Sequence, residues 1–242
     1  MRIKAGTFNI QHGKDYPYFL DTGRERIDLG LMAETVRKMD VDFCGLNEVR
    51  NQTGAGLCNQ AEAIAAELGW HWAFVPAIAI KHGFYGNGIV SRFPIREVRA
   101  VPIQTTAKER DGAPHYEDRV LLIATLEAEG REITVFSCHF GLNDIEQEKA
   151  VQTVLREAEG ITSPLLFMGD LNLQPDNEKI ARLAEKLTDT AAVGAGDLLT
   201  FPSADPNRKI DYIFLKNATP LRSEVVPIVA ADHYPLRAEI EI

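Results

Sequence analysis

Short apolar runs rich in Val, Ile, Leu and Phe recur from one end of the chain to the other, about eleven in all, most of them flanked by Gly, Pro or Asp. They read as strands over 3–10, 41–47, 71–76, 88–91, 97–103, 120–128, 132–138, 165–169, 209–215, 221–229 and 236–242. That is more than one open sheet usually holds. The runs are nearly continuous in hydrophobicity, which is the pattern of strands covered on both faces. Two sheets packed face to face with helices outside meet both demands.

Apolar residues at helical spacing supply those helices. Ile27, Leu31, Met32 and Val36 mark one over 25–39, and Ala61, Ile64, Ala65 and Leu68 mark one over 60–68 that stops at Gly69. A third starts at Asn143 or Asp144, both good N-caps, and presents Val151, Val154, Leu155 and Ala158 before Gly160. The fourth follows Pro175-Asp176 and carries Ile180, Leu183, Ala184 and Leu187. These stripes read as core packing. No linker, composition break or repeat divides residues 1–242, so one domain is expected.

Composition narrows the function classes. With 45% hydrophobic and 25% charged residues, the 242-residue chain has the balance of an ordinary globular protein. Its 26 Lys+Arg against 35 Asp+Glu give a net charge of −9. That weighs against sequence-independent nucleic-acid binding, which depends on cations that neutralise phosphates. Three cysteines make no disulfide framework. Cys44 and Cys138 lie in apolar runs and are expected to be buried, and Cys58 to be exposed. No run approaches the roughly 20 apolar residues of a membrane helix. The N-terminus has no signal-peptide core, so a cytoplasmic location is expected.

The chemistry-bearing residues gather where strands end: Asn9, Glu48, His139, Asp170 with Asn172, and Asp232 with His233. Asp211 lies inside an apolar strand, where an ionised group needs a partner to offset its desolvation. Singly, each is ordinary for a turn or cap. Together they are a set of oxygen and imidazole groups suited to Mg²⁺ and phosphate. Zinc motifs, a Gly-x-Ser-x-Gly elbow and a Walker loop are all absent. The glycines at 83, 86 and 88 read as a turn feeding the strand that follows.

In chain order, Phe8-Asn9-Ile10, Leu46-Asn47-Glu48-Val49, Tyr85 to Pro94, Ser137-Cys138-His139, Gly169-Asp170-Leu171-Asn172, Arg208 to Tyr212 and Asp232-His233-Tyr234-Pro235 resemble the motifs of the endonuclease/exonuclease/phosphatase superfamily. The resemblance spans nearly the whole chain and implies a four-layered α/β sandwich, two mixed β-sheets packed face to face with helices outside. It implies Mg²⁺, with Mn²⁺ as substitute, held mainly by Glu48 with help from Asn9, and Asp232 touching the metal or its water. Asp170 and Asn172 look like the pair that orients or activates the attacking water. Asp211 and His233 resemble a buried acid–imidazole pair, and His139 stands where the family donates to phosphate. Arg119 is a weaker phosphate contact. Either His233 or Asp170 takes the proton from water.

The expected reaction is metal-dependent attack of water on a phosphoester, with no covalent enzyme intermediate. The segment 199–209 is short and lacks Trp, unlike the pocket of abasic-site endonucleases. With the acidic charge, this favours a small or lipid-like monoester or diester over nucleic acid. A DNA-repair nuclease is the alternative, and a catalytically inactive binding module is a third reading. Specificity is expected in three loops, at 11–23, 81–85 and 107–111. Oligomeric state is left open.

Overall fold

The computed structural model describes residues 1–52, 58–110 and 116–242. One six-stranded sheet runs β11 (Thr219–Val225), β12 (Leu236–Glu241), β1 (Arg2–Asn9), β2 (Phe43–Gln52), β4 (Gly83–Ser91), β3 (His71–Ile80). The other runs β5 (Ile95–Ile103), β6 (Arg119–Ala128), β7 (Arg131–Cys138), β8 (Leu165–Asp170), β10 (Asp211–Lys216), β9 (Thr188–Asp189). Both are mixed: β1–β2 and β7–β8 are parallel, and the other named pairs are antiparallel.

Alternation along the strands builds the layers. Ile3, Ala5, Phe43 and Ile89 of the first sheet meet Leu122, Val135, Met168 and Ile213 of the second in a core between the sheets. The opposite faces carry their own cores. Phe8, Cys44, Leu46 and Val90 pack under α2 (Leu29–Met39) and α3 (Gln60–Leu68) through Met32, Val36 and Ile64. Phe136, Phe167 and Phe214 pack under α5 (Asp144–Glu159) and α6 (Glu178–Ala184) through Val151, Val154 and Leu183. The result is the expected four layers, helix–sheet–sheet–helix.

Side-chain caps set the helix starts. Asp28 accepts from Leu31 N and begins α2 four residues later than its apolar spacing predicted, leaving Ile27 outside the helix and 48% exposed. Asn143 and Asn177 cap α5 and α6 in the same way. Within 11–23 the chain forms a 3-10 turn (Gln11–Gly13) and α1 (Tyr16–Thr22), capped by Asp15. Gly83 to Gly88 is not a turn but the first part of β4. A Cβ on Gly86 would stand 2.1 Å from Val75 O, so these glycines serve close strand approach. A short α4 (Ala107–Arg110) occupies most of the expected loop at 107–111, and Asp111 lies outside the described residues. Cys44 and Cys138 are buried and Cys58 is exposed.

Candidate active site

The parallel pairs β1–β2 and β7–β8 end at the same edge of the sandwich, and the predicted residues converge there. Three local devices aim them. Glu48 sits in a bulge where the β2–β4 register shifts between Leu46 and Val49, with φ of 60°, so β2 continues past it to Gln52 instead of closing at residue 47. Gly169 adopts φ of 147°, and a Cβ there would stand 1.9 Å from Cys138 O; only glycine lets β8 lie so close to β7 one residue before Asp170. Asp170 and Asp211 are register partners across β8 and β10.

Two buried amides then tie the sheets together. Asn47 Oδ1 accepts from Asp170 N at 3.0 Å, while Asn47 Nδ2 donates to Asn87 Oδ1 at 2.9 Å. Asn87 Nδ2 in turn donates to Val120 O at 2.9 Å. Satisfied this way, the polar pair inside an apolar region positions β2, β4, β6 and β8 relative to one another.

Around Asp170 the groups are close. Asn9 Nδ2 donates to Glu48 Oε1 at 3.0 Å and to Asp170 Oδ2 at 3.1 Å. The Asn9 amide oxygen, the atom a cation would need, instead accepts from Gln11 N at 3.0 Å. Asp170 Oδ1 accepts from Asn172 N at 3.0 Å. His139 Nε2 and His233 Nε2 each lie 3.5 Å from Asp170 Oδ2. His233 Nδ1 lies 2.8 Å from Asp211 Oδ2, and Arg119 Nη1 lies 3.5 Å from His139 Nδ1. Asp232 joins through Gln11, whose Nε2 donates to Asp232 Oδ2 at 2.8 Å. Every residue predicted for the site therefore belongs to one connected network. Gln11, Asn47, Asn87 and Tyr85, whose hydroxyl hydrogen-bonds Glu48, belong to it as well, though the sequence reading gave them no role of their own. Their sequence signal was membership of the family-like motifs for Asn47, Tyr85 and Asn87, and of the 11–23 loop for Gln11.

Burial and charge set the protonation states. Burial pushes Asp170 up to about 7, with His233 pulling it down and Asp211 adding to the rise. Asp232 is pushed up to about 6, again by burial first. Burial opposes a charge on His233, yet Asp211 and then Asp170 outweigh it and hold the imidazole raised to about 10. His139 goes the other way: burial, then Arg119, then His233 keep it well below the usual histidine range, hence neutral. The neutral ring meets a donor on each side, Arg119 Nη1 at 3.5 Å from Nδ1 and Asn172 Nδ2 at 3.1 Å from Nε2, and can accept from only one of them.

The half-buried Glu48 and Asp232 supply oxygens only, the donor type of Mg²⁺ and Mn²⁺. Asp232 Oδ1 is buried with no hydrogen-bond partner, so an acceptor is available to a cation. Asp170, Asp211 and His233 also lie within 4.8 Å of one another. That trio fits a metal poorly, because a charged imidazole already holds both carboxylates. Beside the network, cavities of about 350 and 300 Å³ flank the exposed Leu142; one is lined by Asn172 and Arg208, the other by Arg119 and Glu117. A further cavity of about 340 Å³, lined by Leu155, Lys186 and Lys216, touches none of these residues.

Residues 6–233 match the model of the endonuclease/exonuclease/phosphatase family. The chain belongs to that family. Members are phosphoesterases or nucleases, generally dependent on a divalent metal, so this is a hydrolytic enzyme of the phosphoester class. The uncharacterized protein YbhP of Escherichia coli strain K12 is 27% identical over 192 residues, covering 75% of this chain and 72% of YbhP. A mannosyl-6-phosphatase of Bacteroides thetaiotaomicron superposes with a TM-score of 0.78 at 15% identity, covering 99% of this chain and 100% of that one. The human nocturnin catalytic domain, with bound sulfate, gives 0.69 at 17% identity over 99% and 93% of the two chains. At those identities the structural likeness speaks for the fold.

Proposed function

We propose that this chain hydrolyses a small or lipid-like phosphomonoester or phosphodiester by direct attack of water at an Mg²⁺-dependent centre. The observation that carries it is the Asp170 carboxyl, buried and placed between a protonated imidazole and a neutral one. Glu48 and Asp232 would hold the metal, which supplies Lewis-acid polarisation of the phosphoryl group when bound. Asn9 reaches Glu48 only through its NH₂, so its role is to orient that carboxylate. His233, kept charged by Asp211, has no free acceptor nitrogen and acts as a donor to the phosphoryl oxygens or the leaving group. The base is then Asp170, whose value near 7 suits proton transfer at neutral pH. Asn172 steadies the water, and His139 and Arg119 face the phosphate.

Water is the nucleophile of this reading, and the two thiols in the strands are closed to that role, since burial pushes Cys138 up to about 12 and Cys44 higher. The net charge of −9 and the cavities of about 350 and 300 Å³ favour a compact substrate. A sugar phosphate, the substrate type named for the Bacteroides protein of this fold, is one such compound. One feature favours the nuclease alternative: Phe201 lies 4.8 Å from the His233 ring with the Arg208 guanidinium 4.8 Å from its own centroid, a cation and an aromatic at the rim. The same reading takes residues 1–242 as one catalytic unit working in the cytoplasm; among the described residues no helix is long and apolar enough to cross a membrane.

A panel of sugar phosphates, phospholipid headgroup esters, nucleotides and abasic DNA, assayed with Mg²⁺ and with EDTA, tests this. Turnover is expected on the small esters, lost in EDTA, and reduced roughly 10²–10⁴-fold in Asp170→Ala. Full activity in EDTA removes the metal from the mechanism, and a wild-type rate in Asp170→Ala removes the base.

A further inference from the structure

Gln11 stands in an unusual backbone setting. It, His12 and Gly13 all have positive φ, at 45°, 49° and 77°. Two consecutive non-glycine residues in that region are strained and persist only where the surroundings over-determine them. Here they are over-determined. Gln60 of α3 donates from Nε2 to His12 O at 2.7 Å and accepts from Arg50 N at 2.9 Å. Asp28 N donates to Gly13 O at 2.8 Å, and Asn9 Oδ1 holds Gln11 N. The strained turn serves one visible end, which is to bring the Gln11 side chain across to Asp232 in the loop before β12.

The hydrogen bond to Asp232 Oδ2 fixes which way the Gln11 amide points. Its NH₂ must face the carboxylate, because two oxygens there would repel. Two buried oxygens at the ends of that one bond then have no partner, Gln11 Oε1 and Asp232 Oδ1. Other buried polar atoms lack a partner as well, Asp211 Oδ1 and the Ser137 hydroxyl among them, but these two oxygens belong to the two partners of a single hydrogen bond, and such acceptors need a cause. A protein donor would have satisfied them; a hard cation uses such oxygens without one.

We infer that Gln11 is both a positioning residue and an oxygen donor at the metal end of the site, clamping Asp232 through its NH₂ while its own Oε1, like Asp232 Oδ1, is left for the cation. Asn9 and Gln11, two residues apart, thereby divide the work. Asn9 orients Glu48 and Asp170, and Gln11 orients Asp232. The inference rests on the metal-dependent reading above and adds a residue to it.

Isothermal titration of MgCl₂ and MnCl₂ into metal-free protein, with thermal melts alongside, reads the metal without turnover. Loss of an orienting partner typically weakens metal affinity about 10–100-fold, and that is the expectation for Gln11→Ala, with a metal-free Tm close to wild type. Gln11→Glu keeps the oxygen but sets a second carboxylate against Asp232. Its Tm should fall without metal and gain more than the wild type's on adding Mg²⁺. If Gln11→Ala fails to fold, Gln11→Glu decides by that gain. Wild-type Mg²⁺ affinity in Gln11→Ala, or no enlarged Tm gain in Gln11→Glu, overturns the clamp and leaves the metal site standing if Glu48→Gln still loses binding. A wild-type protein that binds neither ion overturns both.

Discussion

His233 between Asp211 and Asp170 shows how a partner, more than a residue type, decides chemistry. Asp211 is recognisable from sequence because a carboxylate in an apolar strand demands a counter-charge. That His233 is the counter-charge, across 22 positions of chain, is a matter of folding. With the carboxylate gone, burial would dominate and the imidazolium would lose its proton at lower pH. Asp211→Asn should therefore bring the His233 titration down from about 10, read as an NMR shift of its ring protons, and move the alkaline limb of the rate profile the same way. An unmoved titration would show that Asp170 alone holds the proton. Asn9 marks the limit of legibility at this scale. Its presence at a strand end points to the site, but which end of its amide faces the carboxylates is set by Gln11 N, a contact no spacing rule announces.

Strands and the longer helices were legible because their apolar periodicity is the same property that buries them. What escaped was whatever carries no stripe. α1 buries none of its residues, and β9 is two residues long. The glycines of β4 signal a turn by type, yet in the fold they answer crowding from Val75 and Asn51 backbone oxygens. Gly169 is the sharpest case. A methyl group there would meet Cys138 O at 1.9 Å in a backbone conformation that L residues rarely adopt. Gly169→Ala is expected to cost roughly 2–4 kcal/mol in urea unfolding, through strain and overpacking together. Activity should fall further than the stability loss explains, since Asp170 must shift with β8. A fully stable, fully active Gly169→Ala would mean that β7 and β8 can part without consequence.

For the molecule as a whole, the site is a local conflict inside a well-satisfied core. Asp170 and Asp232 have folded values raised from 3.8 to about 7 and about 6, and His233 from 6.5 to about 10. All three bind protons more tightly when folded. Their contribution to stability is thus complete below the unfolded values and is lost as pH rises through the folded ones, Asp232 and Asp170 first and His233 last. Metal-free wild type should lose Tm relative to Asp170→Asn between pH 5 and 8, and Mg²⁺ should restore more at pH 8 than at pH 5 because its ligands must be ionised. A pH-independent difference between the two proteins would show that Asp170 does not titrate in that window. The sequence alone determined the strand-rich two-sheet architecture, the helices that cover it and the residues with the chemistry, because periodicity, capping and functional-group type are local properties. It took the folded arrangement to make Glu48 project from a bulge, to let Asn9 orient and Gln11 reach Asp232, and to leave one imidazole charged and the other neutral. Those outcomes depend on distances of a few ångströms between segments remote in the chain, and on the burial that their meeting creates.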